Sequence, residues 1–170
     1  PHAELWQPND SILQKYIQAF ECDDSGFGGA FGSWYYKNSN RHAQFAAMIT
    51  RLDTQVGEIF AKLEEKGLAD NTLVIFTSDN GPHEEGGADP DWFNRDGLLR
   101  GTKRSTHEGG IRVPFIVKGP GVPAGTVNDH QLAFYDLMPT LLDYAGLNGD
   151  AYSRKASTAT QYWDGISFNN

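Results

Sequence analysis

Two short stretches of the chain carry side chains suited to chemistry. The first, TLVIFTSDNGPH (Thr72 to His83), ends an apolar run on a carboxylate, an amide, a glycine and an imidazole. Asp79 and Asn80 offer hard oxygen donors of the kind that Ca2+ or Mg2+ accepts, and Gly81 lets the chain turn sharply away. The same triplet also reads as an ordinary Asx turn after a strand. The second stretch, LLRGTKRSTHEGGIRVP (Leu98 to Pro114), sets Arg100, Lys103 and Arg104 among glycines. A lysine delivers a compact positive charge, and neighbouring glycines let backbone approach a ligand closely. Arg104 reads as a solvated residue of a basic turn, and Glu84 and Glu85 as solvated acids. His83 either lines a pocket or has a structural or surface role, and His42 and His130 read as surface residues. Glu108 is expected to shape the turn before Ile111 and to orient Lys103 or Arg112.

These residues need elements to position them. Ile12, Leu13, Tyr16, Ile17 and Phe20 share one face of a helix over 11–20, with Ser11 as its cap. A longer helix over 41–66 follows from Phe45, Met48, Ile49, Leu52, Val56, Ile59, Phe60 and Leu63, and Gly67 stops it. The run Leu73-Val74-Ile75-Phe76 then reads as a strand covered on both faces, the pattern of a parallel sheet. A second strand is expected over 111–117 and a third near 132–134. A helix over 136–145 closes the pattern, capped by Asp136 and stopped by Gly146. The fold class is therefore α/β. In such sheets ligands bind beyond the carboxyl ends of strands, which is where Asp79 and Asn80 stand. Residues 79–110 hold seven glycines and no periodicity. So long an aperiodic stretch exceeds the usual limit of about 12–15 residues and points to function. Residues 21–36 read as a surface loop or lid.

Composition narrows the classes. The 170 residues carry a formal charge of −8, which argues against a nucleic-acid or anionic-membrane surface. No apolar run approaches the roughly 18 residues of a membrane span. One cysteine, Cys22, excludes an internal disulfide framework and any multi-cysteine metal site.

Taken in order, TLVIFTSDNGPH, LRGTKRSTHEGGIRVPFIV and YDLMPTLLDYAGL resemble the consecutive signatures of the sulfatase family, in the alkaline-phosphatase-like superfamily. PHAELWQP is similar to the family's histidine segment, and DGISF to the start of a further one. The resemblance implies an alkaline-phosphatase-like sandwich with a largely parallel sheet flanked by helices. It implies hydrolysis of sulfate esters by a formylglycine nucleophile with Ca2+, or else Mg2+. Asp79 and Asn80 resemble the family's metal-ligand pair. Lys103 resembles the lysine that contacts the sulfate near the leaving oxygen, and His2 the histidine that helps to protonate that oxygen. His2, Lys103 and His83 are thus the expected substrate contacts, the substrate being a sulfated small molecule or a sulfated glycan. The family's distribution implies a periplasmic, secreted or lysosomal location.

The chain departs from the family in two respects. No Cys/Ser-x-Pro-x-Arg motif occurs, since Cys22 lies in ECDDSGF, and the family's N-terminal aspartate pair has no counterpart. Residues 1–170 are therefore expected to form a single-domain, C-terminal portion of a sulfatase catalytic domain, without the N-terminal half and its nucleophile. An exposed edge and self-association are expected of such a piece. Two alternatives stand beside this reading. One is a phosphodiesterase or phosphonate hydrolase of the same superfamily, for which an Asp-His pair would be usual where this chain has Asp79-Asn80. The other is a non-catalytic metal-binding pseudo-enzyme.

Overall fold

A computed structural model of the protein describes residues 5–21, 39–87, 89, 91–94, 97–148 and 165–168. The expected lid over 21–36 lies almost wholly outside them, as does His2. The described chain divides into two compact units, Pro1–Ala124 and Gly125–Asn170.

The first unit is built on a helix pair. Helix α1 (Ser11–Phe20) buries Leu13 against Ala43 and Ala47 of α2 (Arg41–Glu65), with Ile12, Tyr16, Ile17 and Phe20 packed around them. Two alanines on the facing helix allow a close approach, and polar bonds fix its register. The Tyr16 and Thr50 hydroxyls lie 2.7 Å apart, and Arg51 reaches Asp10 at 2.6 Å and Gln7 at 3.0 Å. Asp10, and not Ser11, caps α1, because its carboxylate accepts from the amides of Ile12 and Leu13 as well as from Arg51. The Arg51 hydrogen bond, followed by that of the Leu13 amide, holds this carboxyl below its ordinary range. The α2 stripe is only partly covered: Ile49 and Ile59 remain open to solvent.

The helix ends in a Schellman turn. The Gly67 amide donates to Glu64 and that of Leu68 to Leu63, with Gly67 at φ +65°, a conformation that favours glycine. The chain then enters strand β1 (Val74–Thr77). Further on, Glu108–Ile111 forms a single helical turn, α3, and strand β2 runs over Phe115–Lys118. The second strand therefore starts four residues later than the sequence suggested, because Glu108 accepts the Arg112 amide and closes a turn first. Strands β1 and β2 pair antiparallel, with Phe76 opposite Ile116. The parallel neighbours expected for β1 are not seen among the described residues. An unbroken apolar run reports covering on both faces and carries no information on a neighbour's direction. Here Phe76 and Ile116 are both exposed, so the pair offers an uncovered apolar patch.

The second unit centres on helix α4 (Leu137–Tyr144), entered through a 3-10 turn at Phe134–Asp136 where a third strand was expected. Asp136 caps this entry from within: its carboxylate accepts from the Ala133 amide at 2.8 Å and from the Ile166 amide at 3.0 Å. The Thr140 hydroxyl donates to the Asp136 carbonyl and accepts from the Phe168 amide at 3.1 Å. Asp136 and Thr140 thus hold segment 165–168 by its backbone. A Cβ at Gly165 would collide with the carbonyl of Tyr135, so only glycine fits there. Gly146, at φ +76°, ends α4 in a second Schellman turn.

Candidate active site

The loop that follows β1 meets the loop that precedes β2. The Gly81 amide donates to the Gly110 carbonyl at 2.9 Å, and the Lys103 amide to the Pro82 carbonyl at 2.7 Å. Residues Arg100 to Gly110 fold back on themselves. The Gly109 amide closes the base on the Arg100 carbonyl at 2.8 Å, and the Ser105 amide tightens the tip on Thr102 at 2.9 Å. The last part of the aperiodic stretch, Arg100 to Gly110, is therefore held by local backbone bonds, which leave no trace in hydrophobic spacing. Backbones interlock at the junction. A Cβ on Gly81 would fall on the Gly109 carbonyl, and one on Gly110 on the Ser105 carbonyl. The glycines that the sequence associated with ligand approach here let two loops approach each other.

The structure bonds the Lys103 amide to Pro82, two residues after Asn80. Asp79 is exposed, and its carboxylate makes no hydrogen bond or ion pair with any described residue. The Asn80 amide nitrogen donates to the Gly81 carbonyl at 2.9 Å, which leaves the side-chain oxygen as its uncommitted atom. Ser78 braces the turn by donating to the Asn80 carbonyl at 2.9 Å. A carboxylate and an amide oxygen, adjacent and uncommitted, are hard donors that suit Ca2+ or Mg2+. Two such donors fit such an ion in part, because Ca2+ takes six to eight oxygens. No group of three or more metal-ligating acids, histidines or cysteines occurs among the described residues. The Lys103 ammonium likewise has no hydrogen bond or ion pair with a described residue.

Three expectations change. Glu85 is not solvated: it is 1% exposed, and its carboxylate is paired with the Arg104 guanidinium. Arg104 is accordingly no idle turn residue, although half of its side chain faces water. His83 is buried, with Nδ1 3.2 Å from Glu85 Oε2 and the Phe45 ring packed edge-on, 6.5 Å between centroids. The third changed expectation is His42, which was read as a surface residue: it lies 4.1 Å from Trp92 in a parallel stack and is only partly exposed. Of the two partners offered to Glu108, Arg112 is the one found, at 3.6 Å. Burial pushes the Glu85 carboxyl up. The Arg104 hydrogen bond, its own backbone amide and the charges of Arg104 and His83 outweigh that, and the net shift is downward. Glu85 therefore stays ionised in an almost dry position. Sequence reasoning missed it because a loop has no period from which burial can be read.

The sulfatase family profile matches residues 3–147, a span that contains both loops and their junction. The chain belongs to the sulfatase family. This sulfatase chain is 37% identical over 119 residues to the steryl-sulfatase of Rattus norvegicus, covering 68% of this chain and 21% of that protein. It is 37% identical over 119 residues to the arylsulfatase A of Homo sapiens, covering 68% of this chain and 22% of that protein. The chain thus spans about a fifth of the length of these relatives. The crystal structure of Ps i-CgsB in complex with k-i-k-neocarrahexaose superimposes with a TM-score of 0.61 at 29% identity. That match covers 86% of this chain and 27% of the other. Family and structural neighbour together assign the sulfatase α/β fold.

Proposed function

We propose that the full-length protein hydrolyses sulfate esters and that this chain supplies the cation-side half of its active site. What supports the reading is the backbone bond from Lys103 to Pro82, which draws two segments of the sulfatase match together beside uncommitted Asp79 and Asn80. A sulfate ester departs as an alkoxide, so charge develops on the bridging oxygen, and the Lys103 ammonium is the group to meet it. His2 would donate a proton to the same oxygen. His83, fixed against Glu85, would form a wall of the pocket. Asp79 and Asn80 would hold a divalent cation, Ca2+ in preference to Mg2+, which when bound polarises the non-bridging oxygens. The attacking formylglycine would belong to a Cys/Ser-x-Pro-x-Arg motif elsewhere in the protein. β1 and β2 would join a larger, largely parallel sheet.

A sulfated glycan is the favoured substrate class over a sulfated small molecule, on the strength of the oligosaccharide bound by the structural neighbour. Export to the periplasm, the exterior or a lysosome completes the reading. No helix among the described residues is long and apolar enough to cross a membrane. The test is steady-state hydrolysis of a chromogenic aryl sulfate by the full-length enzyme. Lys103→Ala should lower kcat by about 10^2 to 10^3, the scale of losing one preorganised electrostatic contact. Full kcat in that variant would remove Lys103 from the chemistry.

A further inference from the structure

The residues around Lys103 are tied down one by one, while its own side chain is left uncommitted. On one side the Thr102 hydroxyl donates to Glu84 Oε1 at 3.2 Å. At the centre the Lys103 amide donates to the Pro82 carbonyl. On the other side the Arg104 guanidinium donates to Glu85 Oε1. Three consecutive residues are thus fastened to one segment, Pro82 to Glu85, while the ammonium between them has no hydrogen bond or ion pair with a described residue.

The third fastening differs from the other two. Arg104 sits at φ +77°, a left-handed conformation that is costly for a non-glycine residue and persists only where its surroundings impose it. Glu85 is a charge in an almost water-free position, held on one oxygen by Arg104 and faced on the other by His83 Nδ1 at 3.2 Å. A strained backbone and a buried charge, coupled through one ion pair, fix the residue next to the lysine.

We propose that Glu85 is a positioning residue for Lys103, acting through Arg104 to hold the turn that carries the ammonium. The proposal rests on the reading of Lys103 given above. Glu85 touches no reacting atom, and its effect on turnover passes entirely through its neighbour. The depressed carboxyl of Glu85 agrees with this, because the clamp needs the ionised form.

The test combines substitutions in the full-length enzyme, with an aryl sulfate as substrate. Glu85→Gln and Arg104→Lys are each made alone and on top of Lys103→Ala. Glu85→Gln keeps the volume and removes the charge. Arg104→Lys keeps the charge and removes the planar fork. Alone, each should lower kcat by about tenfold, the cost of a modest misplacement, with KM changed by less than about twofold. In the Lys103→Ala background neither should lower kcat further, because the group being positioned is gone. The proposal is overturned if kcat is unchanged in both single variants, or if only KM rises. It is equally overturned if the same fall recurs in the Lys103→Ala background. Should Glu85→Gln not fold, Arg104→Lys decides alone by the same criteria, its side chain being 53% exposed and the change tolerable. A Lys103→Ala enzyme with full kcat removes Lys103 from the chemistry, a different failure with a different signature.

Discussion

The Glu85–Arg104 pair is lopsided, and the asymmetry has a measurable sign. Glu85 is 1% exposed while the Arg104 side chain is 53% exposed. Removing one partner of a buried pair costs about 3–5 kcal/mol when the survivor cannot reach water. Arg104→Met leaves a buried carboxylate whose remaining polar neighbour is the His83 imidazole, so the loss should fall at or just below that range, about 2–4 kcal/mol. Glu85→Gln leaves a guanidinium that water can take over, and the amide still accepts its hydrogen bond, so the loss should be about 1 kcal/mol. Acid removes the difference between the two variants. The Glu85 carboxyl is held below its ordinary value of 4.5 in the folded protein. Its contribution is therefore complete above 4.5 and disappears as the pH falls through the lower, folded value. In Arg104→Met the same carboxyl, buried without its partner, takes up its proton earlier, and the deficit against wild type should shrink on acidification. The assay is urea unfolding of the full-length protein, followed by tryptophan fluorescence, at neutral pH and at steps below 4.5. A Glu85→Gln loss as large as that of Arg104→Met, or a deficit that does not change with pH, would refute the reasoning.

Other outcomes follow from the same geometry. Asp79→Ala in the full-length enzyme should lose both bound divalent metal and turnover, and unchanged calcium by elemental analysis would remove Asp79 from the cation site. Gly81→Ala should cost on the order of 3 kcal/mol, because backbone and not a flexible side chain stands in the way, and thermal unfolding reads this directly. The 170-residue chain by itself should not turn over an aryl sulfate with added Ca2+, since it spells no Cys/Ser-x-Pro-x-Arg motif; turnover lost on Lys103→Ala would contradict this. The same preparation should self-associate through the open Phe76 and Ile116 patch, and monomeric mass by light scattering would count against it.

The helices were legible because their spacing repeats: Leu13, Tyr16 and Ile17 define one face, and Gly67 and Gly146 mark two ends by a conformation that suits glycine. The cap at Asp10 was not, because its advantage over Ser11 lies in Arg51, more than forty positions away in the sequence. Strand β1 was readable from its apolar run, but its direction relative to β2 depends on a connection whose turns are made by backbone bonds. The apolar run near Leu132 to Phe134 is too short to separate strand from turn, and the bond that the Ala133 amide donates to the Asp136 carboxylate decided for the turn. At the site, Asp79, Asn80 and Lys103 stood out because their types suit a cation and an anion. Glu85 carries the same charge as Glu84 beside it, and only tertiary packing separates a solvated acid from a buried one.

The hold of Asp136 and Thr140 on segment 165–168 bears on how this part of the family can change. Both grips fall on main-chain amides, those of Ile166 and Phe168, and neither consults the side chains those residues carry. Drift at positions 166 and 168 is therefore tolerated by this latch so long as the amides stay in place, whereas proline at either would release it. The constraint sits instead on the two acceptors and on Gly165.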